Sequence, residues 1–502
     1  MYVLHKGVKH VNQFLPFTNH WLILVASIPV SLSCGTLFAY SVYATQLVKQ
    51  CHLDTSQSAN LNISATIGSA FGAVFSGLVT DYYGTQLPML ISSLTTGFGY
   101  LWLYIQYNLG EDSSLWQLLG SMFLIGIGSV AGYFSSIKAV TVNFPNFKGT
   151  AQSITIASFA ISSLIFSAIA THIFKGEAGP FIGFLSIACG LMIFIGFVFI
   201  RVDGYIDHTP VIIGEIEEID ETSDETSTIE SSATETDRLL GNSKDQEIRL
   251  KQSSIDDLKH KSLRDTFLHP VFWYHYVILA IVQGLGQMYI YSVGFVLKAL
   301  HYYFTRVVPP DVNSSIPSLI HLQALHVSII AVASFLGRLT SGPASDFFVH
   351  KLHSQRHWVL IIGLSIMLTG HLLNSILIDI VALDLRTVNI YLSIASALIG
   401  YAYGFSFASY PAIVSDLFNM KNYSFIWGAM YTATTFGLTL MTKIFGYVYD
   451  GNTTKWDDKA QEYVCAKGSA CYNLSFQITA GLCILAMVQI LGYIYYRAYK
   501  TT

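Results

Sequence analysis

The sequence carries little charge for its length. Only 12% of its 502 residues are Asp, Glu, Lys or Arg, whereas 52% are hydrophobic. A soluble domain has about 25% charged residues, so the composition argues against a soluble enzyme. The acidic residues are also unevenly placed, because 17 of the 31 lie between Asp203 and Asp265. Without clustered basic charge the chain is not expected to bind nucleic acid. These features indicate a membrane protein that has the lipid bilayer as its main partner.

The chain also lacks the motifs of the common enzyme classes. It has six cysteines, too few for a disulfide scaffold at this length. It contains no Walker A sequence, no zinc-ligand spacing and no nucleophile elbow. Gly126, Gly128 and Gly132 lie in an apolar run with no preceding strand, which favours close helix packing over a nucleotide-binding fingerprint. We therefore predict no enzyme activity, no cofactor, no metal site and no ATP-driven transport by this chain.

Long apolar runs are abundant. A membrane-spanning helix needs roughly 20 mostly apolar residues. Twelve runs qualify and are called spans 1 to 12: about 21–45, 61–80, 86–107, 115–138, 149–173, 179–201, 270–299, 321–346, 357–379, 388–415, 423–448 and 472–497. They predict an all-α membrane protein with twelve transmembrane helices in two six-helix bundles, residues 1–201 and 270–502. Span 1 is too long for a signal peptide and is expected to be retained.

Residues 202–269 form a polar connection between the halves. Between Glu215 and Asp237 this segment has ten acidic residues and no Lys or Arg. It cannot bury enough apolar surface to offset its ordering entropy, which predicts a disordered acidic linker. Glu235, Leu239 and Leu240 resemble an acidic dileucine sorting pattern. They predict clathrin-adaptor-type sorting machinery as a partner and the vacuolar membrane as the location, with the plasma membrane as the alternative.

The distribution of basic residues predicts the topology. With twelve spans, 17 Lys and Arg lie on the side of the termini and the linker, and eight lie on the other side. The positive-inside rule therefore places the termini and the linker in the cytosol. Cys465 and Cys471 fall on the opposite side, where an oxidising lumen permits a disulfide. Asn313-Ser-Ser and Asn452-Thr-Thr are glycosylation acceptors on that same side.

The two halves repeat one another. Span 2 ends with Gly77 and Asp81, and span 8 ends with Gly342 and Asp346, an offset of 265 residues. Gly128 and Gly132 of span 4 correspond to Gly400 and Gly404 of span 10 at an offset of 272. A repeat of six spans is typical of secondary transporters, in which the substrate site lies at the midplane between the halves.

The end of span 2, a Gly-x-x-x-Asp sequence followed by Gly84, resembles the loop motif of the major facilitator superfamily. The motif departs from its usual form after Asp81, because Tyr82, Tyr83, Thr85 and Gln86 stand in place of basic residues. Three stretches resemble the nodulin-like branch: 35–43, 56–62 and 143–149. Residues 337–342 and 403–411 resemble fungal monocarboxylate-permease homologues.

This resemblance implies a secondary transporter that works by alternating access. It assigns gating to five residues at the ends of spans 2 and 8: Gly77, Asp81, Gly84, Gly342 and Asp346. Arg338 matches an arginine that binds the substrate carboxylate in the wider monocarboxylate transporter family. Ser334 stands where that family has an Asp one turn earlier, and the apolar part of span 1 lacks the family's lysine.

The polar residues within spans are the candidates for solute contact. Arg338 is the only arginine deep within a span, where a charge costs at least about 2.5 kcal/mol. It is either a clamp for a carboxylate, which a guanidinium binds through paired hydrogen bonds, or a structural residue that reaches Asp346. Six further residues are predicted to line the cavity, with hydrogen bonding between helices as the alternative: Gln283, Gln287, Tyr40, Tyr133, Tyr403 and Tyr410. His326 is the candidate proton site if transport is proton-linked, and a packed, hydrogen-bonded histidine otherwise.

The leading hypothesis is therefore a transporter of a small organic solute, with a monocarboxylate as the first substrate. An amino acid or another metabolite is the nearest alternative substrate. A sensor with a carrier fold, which recruits partners through its acidic linker without net flux, is the alternative of a different class.

Overall fold

The computed structural model describes residues 19–53, 55–202, 258–259, 261–306, 319–377, 385–453, 455–457, 462–465 and 467–501. The sorting residues Glu235, Leu239 and Leu240, the acceptor Asn313 and nearly all of the predicted linker lie outside these segments. At the end of the linker, Leu263–Leu268 is a short helix, and the Ser262 hydroxyl accepts a hydrogen bond from the Asp265 backbone N–H at its start.

The first half consists of six spans. Span 1 has two α-helices, His20–Cys34 and Tyr40–Gln50, joined by a 3-10 turn at Gly35–Ala39. The remaining spans are continuous α-helices: Thr55–Tyr83, Gln86–Leu109, Leu115–Asn143, Lys148–His172 and Ala178–Phe199. A 3-10 turn at Gly110–Asp112 follows span 3.

The second half repeats this arrangement. Spans 7 to 12 are Pro270–Arg306, Leu319–His350, His357–Leu372, Leu385–Leu417, Tyr423–Asn452 and Asn473–Thr501, and a π-helical turn at Leu373–Leu377 extends span 9. A 3-10 turn at Met420–Asn422 precedes span 11. Between spans 11 and 12, β1 (Lys455–Asp457) pairs antiparallel with β2 (Glu462–Val464), followed by a 3-10 turn at Gly468–Cys471.

The prediction of an all-helical membrane fold is confirmed. Ten of these helices are long and apolar enough to cross a membrane on composition alone. Spans 3 and 11 are not among the ten, although they are 24 and 30 residues long. The chain is an integral, multi-pass membrane protein with two six-helix bundles.

The two halves meet through two equivalent pairs of helices. Span 8 packs on span 5, and span 11 packs on span 2. Under the six-span repeat, span 2 corresponds to span 8 and span 5 to span 11, so one contact is the counterpart of the other. Within the halves, span 2 packs on span 4 and span 8 packs on span 10.

Small residues allow these helices to approach closely, as the sequence predicts for the glycines of span 4. A Cβ atom on Gly126 would lie 2.1 Å from the Ala65 carbonyl oxygen of span 2. A Cβ atom on Gly128 would lie 2.2 Å from Thr96 Oγ1 of span 3. Only glycine fits at these crossings, which is how spans in a bilayer gain packing energy.

Candidate substrate cavity and gate

Asp81 joins the first half to the second. It lies in the last turn of span 2, where its Oδ1 is 2.5 Å from the buried Lys138 Nζ of span 4. The same carboxylate accepts hydrogen bonds from the backbone N–H groups of Ser424, at 3.1 Å, and Phe425, at 2.8 Å. These two groups belong to the first turn of span 11, where a helix has unpaired donors and a positive dipole end. Asp81 therefore caps a helix of the opposite half.

Asp346 makes the equivalent contact from the second half. It accepts hydrogen bonds from the backbone N–H groups of Gly149, at 3.2 Å, and Thr150, at 2.8 Å, in the first turn of span 5. Arg356 Nη1 donates to the same carboxylate at 2.7 Å, and Arg356 Nε donates to Asp416 Oδ2 at 2.7 Å. We call the Asp81 and Asp346 caps the Asp latches, and the end of the bundle that holds them the Asp end.

The glycines of the motif make the latches possible. A Cβ atom on Gly77 would lie 2.6 Å from the Ser424 carbonyl oxygen of span 11. A Cβ atom on Gly342 would lie 2.3 Å from both the Gly149 carbonyl oxygen and Ser153 Oγ of span 5. Gly84 has a φ of 81°, the left-handed conformation that lets the chain turn after span 2. The halves are thus in direct contact at the Asp end.

We expect Asp81→Asn to weaken the first latch. The amide keeps the shape of the carboxylate but removes its charge, which breaks the ion pair with the buried Lys138. Breaking a buried ion pair in this way costs about 3–5 kcal/mol, so the closed Asp end should lose population. The measurement is the thiol-labelling rate of Ser424→Cys, since Ser424 is buried in the latch and the four free native cysteines are buried.

The matched control is Glu111→Gln. Glu111 Oε1 lies 2.9 Å from His52 Nε2 in an exposed pair, and such pairs contribute about 0–1 kcal/mol. This variant should leave the labelling rate unchanged. Equal labelling of the Asp81→Asn and Glu111→Gln proteins would show that Asp81 does not hold the halves together.

Arg338 is surrounded by aromatic rings rather than by acids. Its side chain is buried, with the residue 7% exposed, and its Cζ lies 5.7 Å from the Tyr403 ring centroid and 5.1 Å from that of Phe407. Among the described residues no carboxylate pairs with it, and its Nε has no hydrogen-bond partner. Arg338 does not reach Asp346, which is paired with Arg356 instead. The cation–π contacts hold the guanidinium in place but leave its hydrogen-bond donors available.

An aromatic cluster extends from Arg338 across the boundary between the halves. The Phe407 ring centroid is 6.0 Å from that of Trp427 and 6.3 Å from that of Tyr431, both in span 11. Tyr431 in turn lies 5.5 Å from Phe134 of span 4. Tyr133, the next residue of span 4, is stacked on Phe159 of span 5 at 4.2 Å. Arg338 is close enough to interact electrostatically with Tyr133 and Tyr431.

Several predicted cavity residues gather around this cluster. Gln287 Nε2 donates a hydrogen bond to the Tyr403 hydroxyl at 3.4 Å. In the described part of the chain, Gln287 Oε1, both amide atoms of Gln283 and the Tyr133 hydroxyl have no hydrogen-bond partner. Buried polar atoms are normally paired with protein or water, so these groups are available to a solute. The structure therefore brings together Arg338, Tyr403, Gln287 and Tyr133.

Other predicted residues lie elsewhere. The Tyr40 hydroxyl contacts Ser58 Oγ at 3.0 Å and ties span 1 to span 2. Tyr410 is buried on span 10, three residues towards the Asp end from Phe407. His326 Nδ1 lies 2.8 Å from Ser396 Oγ, which is 2.8 Å from the Tyr289 hydroxyl, so this histidine is packed and hydrogen-bonded.

The predicted luminal features are partly described. Cys465 and Cys471 form a disulfide. The Asn452 amide donates a hydrogen bond to the Val448 carbonyl at 3.0 Å, and its Oδ1 accepts one from Lys467 at 3.3 Å. In the second half, a cavity of about 260 Å³ lies between spans 7 and 11 and is lined in part by Tyr291, Phe295 and Phe445.

The residues and the fold lead to a family. Residues 23–320 and 302–502 match the family model of the Major Facilitator Superfamily. The chain belongs to the Major Facilitator Superfamily. As a transporter of this superfamily, it carries the two-bundle fold, in which the two Asp latches are counterparts of one another under the six-span repeat.

Three comparisons place this major facilitator protein among its relatives. It is 31% identical to the uncharacterised membrane protein YMR155W of Saccharomyces cerevisiae, over 98% of this chain and 99% of that protein. It is 27% identical to the probable transporter MCH1 of Wickerhamomyces anomalus, over 88% of this chain and 83% of that protein. The proton:xylose symporter XylE, bound to 6-bromo-6-deoxy-D-glucose, has the same fold, with a TM-score of 0.58, 13% identity and 95% and 96% of the two chains covered.

Sequence reasoning missed several functional residues. Lys138, Arg356 and Asp416 are the ion-pair partners of the Asp end, and they stand at the ends of apolar runs where a charge counts only towards topology. Phe407 and Trp427 lie in apolar stretches with no distinguishing mark. A search for basic residues near the repeated Asp positions, in the connections that the sequence predicts to be cytosolic, would have found Arg356.

Proposed function

We propose that this protein carries a small organic anion, in the first instance a monocarboxylate, across its membrane by secondary-active alternating access. One observation supports this most: Arg338 is a buried guanidinium without a paired carboxylate among the described residues. A buried charge without a counter-charge is costly, and a carboxylate solute supplies that counter-charge together with paired hydrogen bonds. The resemblance to fungal monocarboxylate-permease homologues supports the same substrate class.

In the proposed mechanism the solute enters from the side opposite the Asp end. Its carboxylate binds Arg338, while the rings of Tyr403 and Phe407 cover its apolar part. The aromatic cluster and the Asp latches then separate as the halves rock, and the solute leaves at the Asp end. The moving units are proposed to be residues 1–201 and 270–502, which the linker 202–269 joins. The termini and the linker are proposed to lie on the cytosolic side of a vacuolar membrane.

A second substrate class has its own support. The unpaired Oε1 of Gln287 belongs to the amide that contacts Tyr403, and both amide atoms of Gln283, one turn earlier on span 7, are unpaired as well, so the two residues offer a donor and acceptors. Plain aliphatic acids have no group that matches these atoms, whereas amino acids and hydroxy acids do. A carboxylate with an amino or hydroxyl group is therefore the second candidate.

The test is uptake of labelled solutes into proteoliposomes, with and without a pH gradient. Short monocarboxylates, hydroxy acids and neutral amino acids form the three arms, and an uncharged sugar is the matched control. We expect saturable uptake in a carboxylate arm, competed by other acids and not by the sugar. If folded protein in sealed vesicles took up none of the acids, or only the sugar, the proposed substrate class would be wrong.

A further inference from the structure

A cluster of two histidines and a tyrosine lies near the Asp end of the second half, away from Arg338. His275 comes from span 7, His357 is the first residue of span 9 and Tyr493 comes from span 12. The His275 and His357 ring centroids are 5.2 Å apart, and the Tyr493 centroid lies 4.8 and 4.9 Å from them. Both histidines are buried, with exposures of 1% and 3%. Three helices therefore hold two imidazoles side by side.

Neither imidazole forms a hydrogen bond with the described part of the protein. All four of their ring nitrogens lack a hydrogen-bond partner among the described residues. A neutral imidazole has one donor and one acceptor, and both normally find partners when buried. His326 and His371, the other fully buried histidines of this half in the described segments, each have a hydroxyl partner, Ser396 and Thr479 respectively. Of these four buried histidines, only His275 and His357 therefore have no hydrogen-bond partner among the described residues.

The titratable groups around the pair come from each neighbouring helix. Tyr274 of span 7 donates its hydroxyl to the Gln489 carbonyl oxygen, and Tyr410 of span 10 lies near Tyr274. On span 12, Tyr493 faces both rings, and Arg497 acts on both through its charge. Arg356 precedes His357 in the chain. No carboxylate pairs with either histidine in the described part of the chain.

The position of Arg356 connects this pair to the gate. Arg356 donates to Asp346 and to Asp416, and Asp346 caps span 5 of the other half. A proton on either histidine would add a buried positive charge to a site that Arg497 already influences through its charge and that adjoins Arg356 in the chain. Like charges repel more strongly in a buried site, where the effective dielectric constant is low. Such a proton therefore destabilises the arrangement in which Arg356 holds the second Asp latch.

We propose that His275 and His357 form a proton-binding site of this transporter, and that binding of one proton by the pair opens the Asp end by releasing Arg356 from Asp346 and Asp416. The proton comes from a hydronium ion at the Asp end, which leaves a neutral water molecule behind. The proposal rests on the transport function proposed above and adds the proton as its coupling ion. It does not depend on which solute is carried.

The test measures the conformation of the Asp end without a solute. Spin labels on Tyr82→Cys of the first half and Leu268→Cys of the second are suitable, because these residues are 59% and 72% exposed and the free native cysteines are buried. Distance distributions are recorded from pH 8 to pH 5. We expect the longer distance to gain population on acidification, by at most about tenfold in the open-to-closed ratio per pH unit, since one proton is bound.

Three variants decide the outcome. His275→Phe and His357→Phe keep the aromatic packing against Tyr493 but cannot bind a proton, so each should abolish the pH response. His326→Phe, a buried histidine of the same half outside the pair, should retain it. If either Phe variant fails to fold, His→Asn at the same position replaces it. The proposal is wrong if the labelled protein does not respond to pH, if both pair variants respond like the parent, or if only His326→Phe loses the response.

Discussion

Arg338→Ala is expected to abolish solute uptake while leaving the thermal stability of the protein unchanged or higher. The residue has no acidic partner in the described part of the chain and its Nε makes no hydrogen bond. Its removal therefore breaks no ion pair and relieves a buried, uncompensated charge. If the guanidinium binds the solute carboxylate, the loss of that charged contact costs about 2–5 kcal/mol, or roughly 30-fold to several thousand-fold in affinity. Uptake into proteoliposomes and the melting temperature in detergent are the two measurements.

Arg356→Ala is the matched control, because Arg356 is also a buried arginine but, unlike Arg338, is paired with carboxylates. Arg356 pairs with Asp346 and Asp416, so its removal should lower the melting temperature. Arg338→Lys keeps the charge but loses the planar pair of donors, and an intermediate loss of uptake is expected. If Arg338→Ala transported normally, the carboxylate clamp would be wrong. If it lost uptake and melting temperature together, Arg338 would be a structural residue.

The sequence was sufficient to predict the fold and the positions of the latches. Apolar run length predicts the spans, and the repeat at an offset of 265 residues predicts that Asp81 and Asp346 have equivalent places. What these carboxylates contact could not be predicted. Lys138 is 57 residues from Asp81, and Ser424 is 343 residues away. Their proximity exists only once span 2 packs between span 4 and span 11.

The environment of Arg338 illustrates the same limit. The sequence indicates that a charge within a span needs a partner, and the expected structural partner was Asp346. The structure instead places the aromatic rings of Tyr403 and Phe407 against the guanidinium. One helical face cannot be distinguished from another in a run that is apolar throughout, so Phe407 carried no signal. For the same reason, the sequence could not predict that His275 and His357 lie side by side.

Gly342→Ala is expected to prevent closure of the Asp end and to reduce uptake severely. The added methyl group would lie 2.3 Å from the Gly149 carbonyl oxygen and from Ser153 Oγ, far inside van der Waals contact. Ser153 can rotate away, but the Gly149 carbonyl belongs to the backbone of span 5 and cannot. The halves must therefore move apart at the latch, which lengthens the hydrogen bonds from Gly149 and Thr150 to Asp346. A hydrogen bond to a charged group contributes about 1.5–3 kcal/mol, so the closed state should lose on the order of tenfold to a hundredfold in population.

Gly481→Ala provides the control for this glycine. Gly481 lies in span 12, and a Cβ atom there would meet nothing within 4 Å. Alanine is the better helix former by about 1 kcal/mol, so this variant should be neutral or slightly stabilising and should transport normally. The spin-label distance between Tyr82→Cys and Leu268→Cys reports the state of the Asp end in both proteins. A longer distance in Gly342→Ala alone, with loss of uptake, means that transport requires the two halves to meet at Gly342. If Gly342→Ala behaves like Gly481→Ala, span 5 has other positions available in the closed state, and the Asp346 cap does not depend on this glycine.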